Sequence, residues 1–200
     1  MKPPNLQWGI DPGNSICGVV CLSGRTVIRA VNVPPQDVYD YIIQESGGRT
    51  IAIAIEDISG YSVPLSKDVI ETCKFIGELV YRLRVTPSVA AISQIPRATI
   101  KKAVFDGLPG VCIPRIEKKM ALLHNRKVRK GERGLMKQDG TMYLPSFKYV
   151  DDRIVIAAVK EVLKIPTPKP GKRNIYGLTG HSWQALAVAC FQIGIFQKNE

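Results

Sequence analysis

Ile10-Asp11-Pro12-Gly13-Asn14 joins two apolar segments near the amino end of the chain. Trp8-Gly9-Ile10 before it and residues 15–22 after it have the composition of strands, while Pro12-Gly13-Asn14 favours a tight turn. We therefore expect a strand, a turn and a second strand, with Asp11 at the joint. A buried carboxylate is costly unless it is paired, hydrogen-bonded or bound to a cation, which makes Asp11 a candidate functional residue. The alternative is a turn residue that bonds its own backbone.

Two more carboxylates follow an isoleucine-rich segment. Residues 49–58 read Arg-Thr-Ile-Ala-Ile-Ala-Ile-Glu-Asp-Ile between glycines, which suits a strand buried on both faces. Because side chains alternate along a strand, only one of Glu56 and Asp57 can share the inward face, and Glu56 is our candidate. Carboxylates at neighbouring strand ends favour a magnesium site, since hard divalent cations take oxygen ligands. The alternative is that Glu56 and Asp57 are surface acids that serve only solubility.

The middle of the chain alternates helical and strand patterns. Residues 36–45 and 66–84 have apolar side chains at helical spacing, and residues 85–95 have the composition of a fifth strand. The order is three strands, helix, strand, helix, strand and further helices. This alternation predicts an α/β layer architecture.

Basic residues outnumber acidic ones by 28 to 17, which gives a net charge of +11. Such an excess favours a polyanionic partner, although it does not specify a fold. We expect a basic insertion or mobile segment at about residues 115–148 that contacts phosphates, with a merely solvated face as the alternative. The expected DNA-binding residues are Lys118, Lys119, Arg126, Lys127, Arg129, Lys130 and Arg133.

Length and cysteine content further limit the class of protein. A 200-residue chain with 45% hydrophobic residues suits one domain over residues 1–200. The five cysteines have no zinc-ligand spacing, and an odd number without secretory features suggests reduced thiols in a cytoplasm. We expect no membrane span and no signal peptide, because no long apolar run is present and the first residues lack an apolar core.

Five segments of the chain resemble, in their order along the sequence, the RuvC family of Holliday-junction resolvases, and more closely its bacteriophage branch. The resemblance spans roughly residues 7–193. The segments are Gly9-Ile10-Asp11-Pro12-Gly13-Asn14, Ala54-Ile55-Glu56, and residues 96–104, 152–159 and 180–189.

This resemblance implies a ribonuclease-H-like fold, a mixed five-stranded sheet flanked by helices. It also implies four acidic positions that bind Mg²⁺, or Mn²⁺ in its place, and a homodimer formed in part by the helix at residues 66–84. Core packing of this helix against the sheet is the simpler account, and the two are compatible. Carried over by motif, Asp11 and Glu56 take the first two metal positions. The other two belong to the amino end of the last helix, where this chain has His181 and Gln184.

The last two positions depart from the acidic pattern. His181 can ligate a metal or act as a general base, whereas a capping or buried histidine is the alternative. Gln184 supplies no charge and accepts no proton. Asp152, at the start of the preceding helix, is the expected substitute, with Asp151 as its neighbour, although both could simply cap that helix.

Lys101 and Lys102 are the remaining catalytic candidates. A basic pair on a helix near a strand end could neutralise the scissile phosphate, as the family resemblance implies, or could be ordinary surface lysines.

The function expected from the resemblance is that of a magnesium-dependent, structure-specific endodeoxyribonuclease that resolves four-way junctions and other branched DNA. Its setting would be the cytoplasm, in a bacterial host if the protein is phage-encoded. The alternatives are a broader flap or fork nuclease, and a junction-binding protein whose turnover is weakened by Gln184.

Overall fold

The computed structural model describes residues 6–58, 66–124, 146–166 and 176–196, with the backbone alone for residues 121–124. Five strands and six α-helices occupy these ranges, together with 3-10 turns at Pro35–Asp37 and Phe147–Tyr149. In chain order they are β1 Leu6–Asp11, β2 Cys17–Ser23, β3 Thr26–Val33, α1 Val38–Ser46, β4 Ile51–Asp57, α2 Lys67–Arg84, β5 Val89–Pro96, α3 Arg97–Gly107, α4 Pro109–His124, α5 Asp152–Leu163 and α6 Ser182–Gln192.

The strands form one mixed sheet in the order β3-β2-β1-β4-β5. The first three strands are antiparallel neighbours, whereas β4 runs parallel to β1 and β5 parallel to β4. Helices cover both faces, so the predicted α/β class, with a mixed five-stranded sheet flanked by helices, is confirmed. Because β1 and β4 are parallel neighbours, their carboxyl ends lie at the same edge of the sheet.

Alternation along β1 and β4 separates two hydrophobic cores. Trp8 and Ile10, with Ile53 and Ile55, pack beneath α1 and α2 on one face of the sheet. The opposite face carries smaller residues and is covered by α3 to α6. Side chains two residues apart on a strand point to the same face of the sheet. By this alternation Asp11 and Glu56 belong to the second face, so both carboxylates point toward the side on which α6 lies.

Helix α6 lies close against β1 and β2 because glycines face it. A Cβ atom at Gly9 would lie 2.1 Å from the carbonyl oxygen of Ala185, and one at Gly18 would lie 2.3 Å from that of His181. The helix is buried from Ser182 to Cys190, as its apolar sequence predicts. No helix of the described ranges is long and apolar enough to span a membrane.

Two sequence-based boundaries differ from the structure. Strand β5 begins at Val89 rather than at position 85, because α2 continues to Arg84 and Val85 caps its carboxyl end. Thr86 and Val89 then close a turn through backbone hydrogen bonds. The helix expected at residues 36–45 begins as a 3-10 turn and continues as α1 to Ser46.

The basic insertion or mobile segment expected at about residues 115–148 begins within a helix. Residues 115–124 belong to helix α4. The physical reason is that Ile116 and Met120 are buried in the core beneath the sheet, where they anchor this helix while its lysines face outward. The remainder, up to residue 145, lies outside the described residues.

Candidate active site

An open cleft of about 410 Å³ lies at the carboxyl ends of β1 and β4. Strand ends, the start of α3, the start of α5 and the amino end of α6 all contribute to it. Its lining residues are Asp11, Pro12, Glu56, Ile58, Arg97, Asp152, Ile156, Gly180, His181 and Gln184. The structure thus brings together four of the residues predicted from sequence, Asp11, Glu56, Asp152 and His181.

Asp11 and Glu56 are the buried carboxylates of the cleft, with only 5% and 6% of their surfaces exposed. The pairing of Ile10 with Ile55 places them side by side at the ends of adjacent parallel strands. Asp57, one residue further, is only half-buried and is not part of the cleft lining. Alternation along β4 therefore selects Glu56 for the cleft, as the sequence indicated.

Burial makes the charged form of both carboxyl groups costly. It raises the pKa of Asp11 above its usual value, against the opposing effects of the hydrogen bond and charge of His181. Burial also raises the pKa of Glu56 to about 7, although the charge of Arg97 acts in the opposite direction. Both groups therefore need a cation to be charged at low cost.

His181 contacts Asp11 directly. Its Nδ1 atom lies 2.7 Å from Oδ2 of Asp11, while nearly half of the imidazole remains exposed to the cleft. This pairing orients the ring and leaves Nε2 available to a ligand or a proton. Gln184, one helical turn along α6, is buried and also lines the cleft. The position that the resemblance assigns to an acid is thus occupied by a neutral amide.

Asn32 on β3 holds the turn that precedes α6, and no sequence pattern pointed to it. Its side-chain amide donates to the carbonyl and hydroxyl oxygens of Thr179 at 3.1 and 3.0 Å. Its side-chain oxygen accepts the backbone N–H of Ser182 at 3.1 Å. These three hydrogen bonds hold the segment that carries His181 against the sheet.

The two aspartates before α5 have different roles. Asp151 caps the helix by accepting the backbone N–H of Ile154 at 3.1 Å, and it also accepts Nζ of Lys119 at 2.8 Å. Although burial acts to raise the pKa of Asp151, these hydrogen bonds lower it overall. Asp152 instead faces the cleft. The capping alternative thus describes Asp151, and Asp152 remains a candidate metal ligand.

Arg97 is the cleft residue that the sequence reasoning missed. It is the first residue of α3, directly after β5 ends beside β4. Its Nη1 donates to Oε1 of Glu56 at 3.1 Å, and its Nη2 donates to Oδ1 of Asp152 at 2.6 Å. Burial alone would lower the pKa of Arg97, but attraction to these two carboxylates raises it. The only sequence signal was a basic residue immediately after a strand end.

The predicted basic residues lie in several settings. Lys101 is near enough to Glu56 for its charge to oppose the rise in the pKa of Glu56 that burial causes. Lys102 is paired with Asp106 on the same helix. Lys118 is exposed on α4, and Lys119 is bound to Asp151. Arg126, Lys127, Arg129, Lys130 and Arg133 lie outside the described residues.

The donor atoms in the cleft suit a divalent cation, although they do not form a complete coordination site. Among the described residues, no three His, Cys, Asp or Glu side chains form a group that could hold a metal ion. The chemistry still fits, because Asp11 and Glu56 are buried carboxylates whose charge a divalent cation would stabilise. They are the candidates to hold the ion, with His181 and Asp152 as further ligands.

A second groove continues from the cleft along α5. It has a volume of about 380 Å³ and shares Ile156 with the cleft. Three cations line it, namely Arg115, Arg153 and Lys160. Its acid, Glu161, is paired with Lys164 at 2.9 Å, so the groove has a positive balance. We call this the α5 groove.

Two solved structures with a similar fold are RuvC structures from Thermus thermophilus. One, described as the Thermus thermophilus RuvC structure, is 15% identical, with a TM-score of 0.46. The other, T. thermophilus RuvC in complex with Holliday junction substrate, is 12% identical, with a TM-score of 0.48. In both cases the alignment covers 96% of this chain and 93% of the other. No protein-family model and no curated protein matches the chain.

Proposed function

We propose that the protein is a metal-dependent DNA endonuclease that resolves four-way junctions by phosphodiester hydrolysis. The observation that carries this proposal is the convergence of Asp11, Glu56, His181 and Asp152 in one open cleft of a strongly basic chain. Paired buried carboxylates in a solvent-accessible cleft suit a divalent cation, and the net charge of +11 suits a polyanionic substrate.

The candidate catalytic residues have defined parts in this proposal. Asp11 and Glu56 would hold Mg²⁺ or Mn²⁺, with Asp152 as a further ligand. Such an ion, when bound, lowers the pKa of water and stabilises negative charge on phosphate oxygens. His181, oriented by Asp11, would hold or accept a proton at Nε2, or ligate the metal. Lys101 would meet the charge of the phosphate.

The DNA would enter over the cleft and follow the α5 groove. The three cations of that groove, Arg115 on α4 and Arg153 and Lys160 on α5, lie beside the cleft and are positioned to bind backbone phosphates. Phosphate contacts of this kind position the duplex without reading its sequence. Lys118 on α4 adds a further exposed charge, and we propose that the basic residues between 126 and 133 extend the same surface.

A homodimer is part of the proposal, because α2 exposes an apolar surface. Ile70, Cys73, Gly77 and Tyr81 follow one another at helical spacing on its outer side, and Tyr81 is 70% exposed. Exposed apolar surface of this kind marks interaction sites. Two copies related by a two-fold axis would present two active sites to opposing strands of a junction. Tyr81→Lys should therefore give a monomer in sedimentation equilibrium, whereas a wild-type protein that is already monomeric contradicts the dimer.

The proposed activity is tested with labelled synthetic DNA. Wild-type protein and Asp11→Asn are mixed with a four-way junction, a flap, a fork and a linear duplex, in Mg²⁺, Mn²⁺ or EDTA. Paired symmetric nicks on the junction that require metal and are absent in Asp11→Asn support the proposal. Equal cleavage of flap or fork in competition would indicate the broader nuclease. Tight junction binding without cleavage in either metal would mean that Gln184 leaves a binding protein.

A further inference from the structure

Arg97 occupies the place where the carboxylates of the cleft would have to meet a metal ion. One guanidinium nitrogen bonds Glu56 and the other bonds Asp152, so a single side chain bridges β4 and α5. These are two of the four candidate ligands. An ion that recruits both must therefore replace the bonds that Arg97 makes.

The side chain of Arg97 is placed so that it can move away from the two carboxylates. It is 39% exposed, and its partner Asp152 is more than half exposed, whereas Glu56 is buried. Surface ion pairs of this kind contribute little net stability, so the pair with Asp152 can be broken at small cost. The guanidinium is also a planar fork that binds phosphate in the same bidentate manner as carboxylate.

We propose that Arg97 is the resident cation of the DNA-free cleft, that it competes there with the divalent ion, and that it transfers to a phosphate of bound DNA. This inference rests on the proposed function for its DNA step alone. Metal and DNA binding are then coupled, because the phosphate removes the guanidinium from Glu56 and Asp152 and so frees the ligands. By linkage, each of the two must tighten the binding of the other.

The first test is a calorimetric titration of Mn²⁺ into DNA-free protein. Arg97→Gln should bind Mn²⁺ about tenfold more tightly than wild type, the effect of removing one charge-assisted competitor. Arg97→Lys keeps the charge but cannot bridge two carboxylates at once, so it should tighten binding by only about threefold. Arg82→Gln is the matched control, since Arg82 pairs with Asp40 at 3.3 Å away from the cleft and should leave Mn²⁺ affinity unchanged.

The second readout is junction binding in EDTA, measured by fluorescence anisotropy. Arg97→Gln should weaken it several-fold and lower the slope of log affinity against log salt by about one. Tighter Mn²⁺ binding together with weaker DNA binding is the pattern that a merely structural role does not produce. Circular dichroism of each variant confirms that it is folded.

The outcomes separate this inference from the proposed function. If wild type cleaves junctions but Arg97→Gln binds Mn²⁺ equally or more weakly, the competition is overturned and the nuclease stands. If Arg97→Gln binds Mn²⁺ more tightly but wild type cleaves no DNA, the competition stands and the nuclease fails. A variant that binds junctions as tightly as wild type overturns the transfer to phosphate.

Discussion

Glu56→Gln should stabilise the metal-free protein at neutral pH, because it removes a charge that burial makes costly. Burial raises the pKa of Glu56 from 4.5 to about 7. The folded state therefore holds this proton more tightly than the unfolded chain does between those two values. Consequently, the free energy of unfolding of the wild type falls as pH rises from 4.5 to about 7, and the loss is complete above that.

The size of the effect follows from the same pKa values. At about 1.4 kcal/mol for each tenfold change in proton affinity, the change from 4.5 to about 7 corresponds to roughly 3 kcal/mol. Asp11 acts in the same direction, since burial raises its pKa too. The amide that Glu56→Gln introduces resembles the protonated carboxyl at every pH, and Arg97 keeps its pair with Asp152. The variant should therefore lose much less stability over this range.

The assay is urea unfolding in EDTA at pH values from about 5 to about 8. Wild type, Glu56→Gln and the control Asp57→Asn are compared, and Mn²⁺ is then added at neutral pH. Mn²⁺ should stabilise wild type and Asp57→Asn more than Glu56→Gln, because a ligand stabilises the state that binds it. A wild-type stability that stays level or rises between about pH 5 and 7 would refute the reasoning. A Glu56→Gln variant whose stability falls as much as that of wild type over this pH range would also refute it.

Three further variants test how the cleft is held and used. Gly18→Ala should slow junction cleavage by at least about a hundredfold in single-turnover assays, since its Cβ would push His181 away from the sheet; wild-type rates would contradict the close approach of α6. Asn32→Ala should lower the free energy of unfolding in urea by about 1 kcal/mol and should slow cleavage, because the three hydrogen bonds that hold the turn before α6 are lost. Unchanged stability and rate would show that the turn keeps its position without Asn32. Arg153→Gln with Lys160→Gln should reduce the salt slope of junction binding by about two, and an unchanged slope would place the DNA elsewhere.

The part of the site that lies on two adjacent strands could be predicted from sequence. Strand periodicity determines which side chains share a face, and a carboxylate directly after each apolar segment is visible by eye. Asp11 and Glu56 therefore follow from local pattern together with the single assumption that β1 and β4 are neighbours. The register of Ile10 with Ile55 bears that assumption out.

The contacts of Arg97 and Asn32 could not be predicted in this way. Arg97 is 41 residues from Glu56 and 55 from Asp152, and Asn32 is 147 residues from Thr179. Such contacts depend on how α3, α5 and the turn before α6 pack, and no local periodicity records that packing. The start of β5 was missed for a different reason, because an apolar Val85 suits the end of a helix as well as the start of a strand.

The helical nature of residues 115–124 was obscured by their charge. Arg115, Lys118 and Lys119 begin the basic run that continues beyond residue 124, whereas Cys112, Ile116 and Met120 define a buried stripe at four-residue spacing. A few buried side chains decide whether a segment packs, and the charged residues around them only need to reach solvent. The apolar spacing was therefore the better signal.

The central claim is that the buried carboxylates of the cleft hold the metal that cleaves DNA. It is tested most directly by single-turnover cleavage of a four-way junction in Mg²⁺ or Mn²⁺ by wild type, Glu56→Gln and Asp57→Asn. These two variants change adjacent acids on opposite faces of β4. We predict a loss of at least about a thousandfold for Glu56→Gln and a rate near wild type for Asp57→Asn. Equal losses in both variants, or a wild type that cleaves in neither metal, would contradict the account.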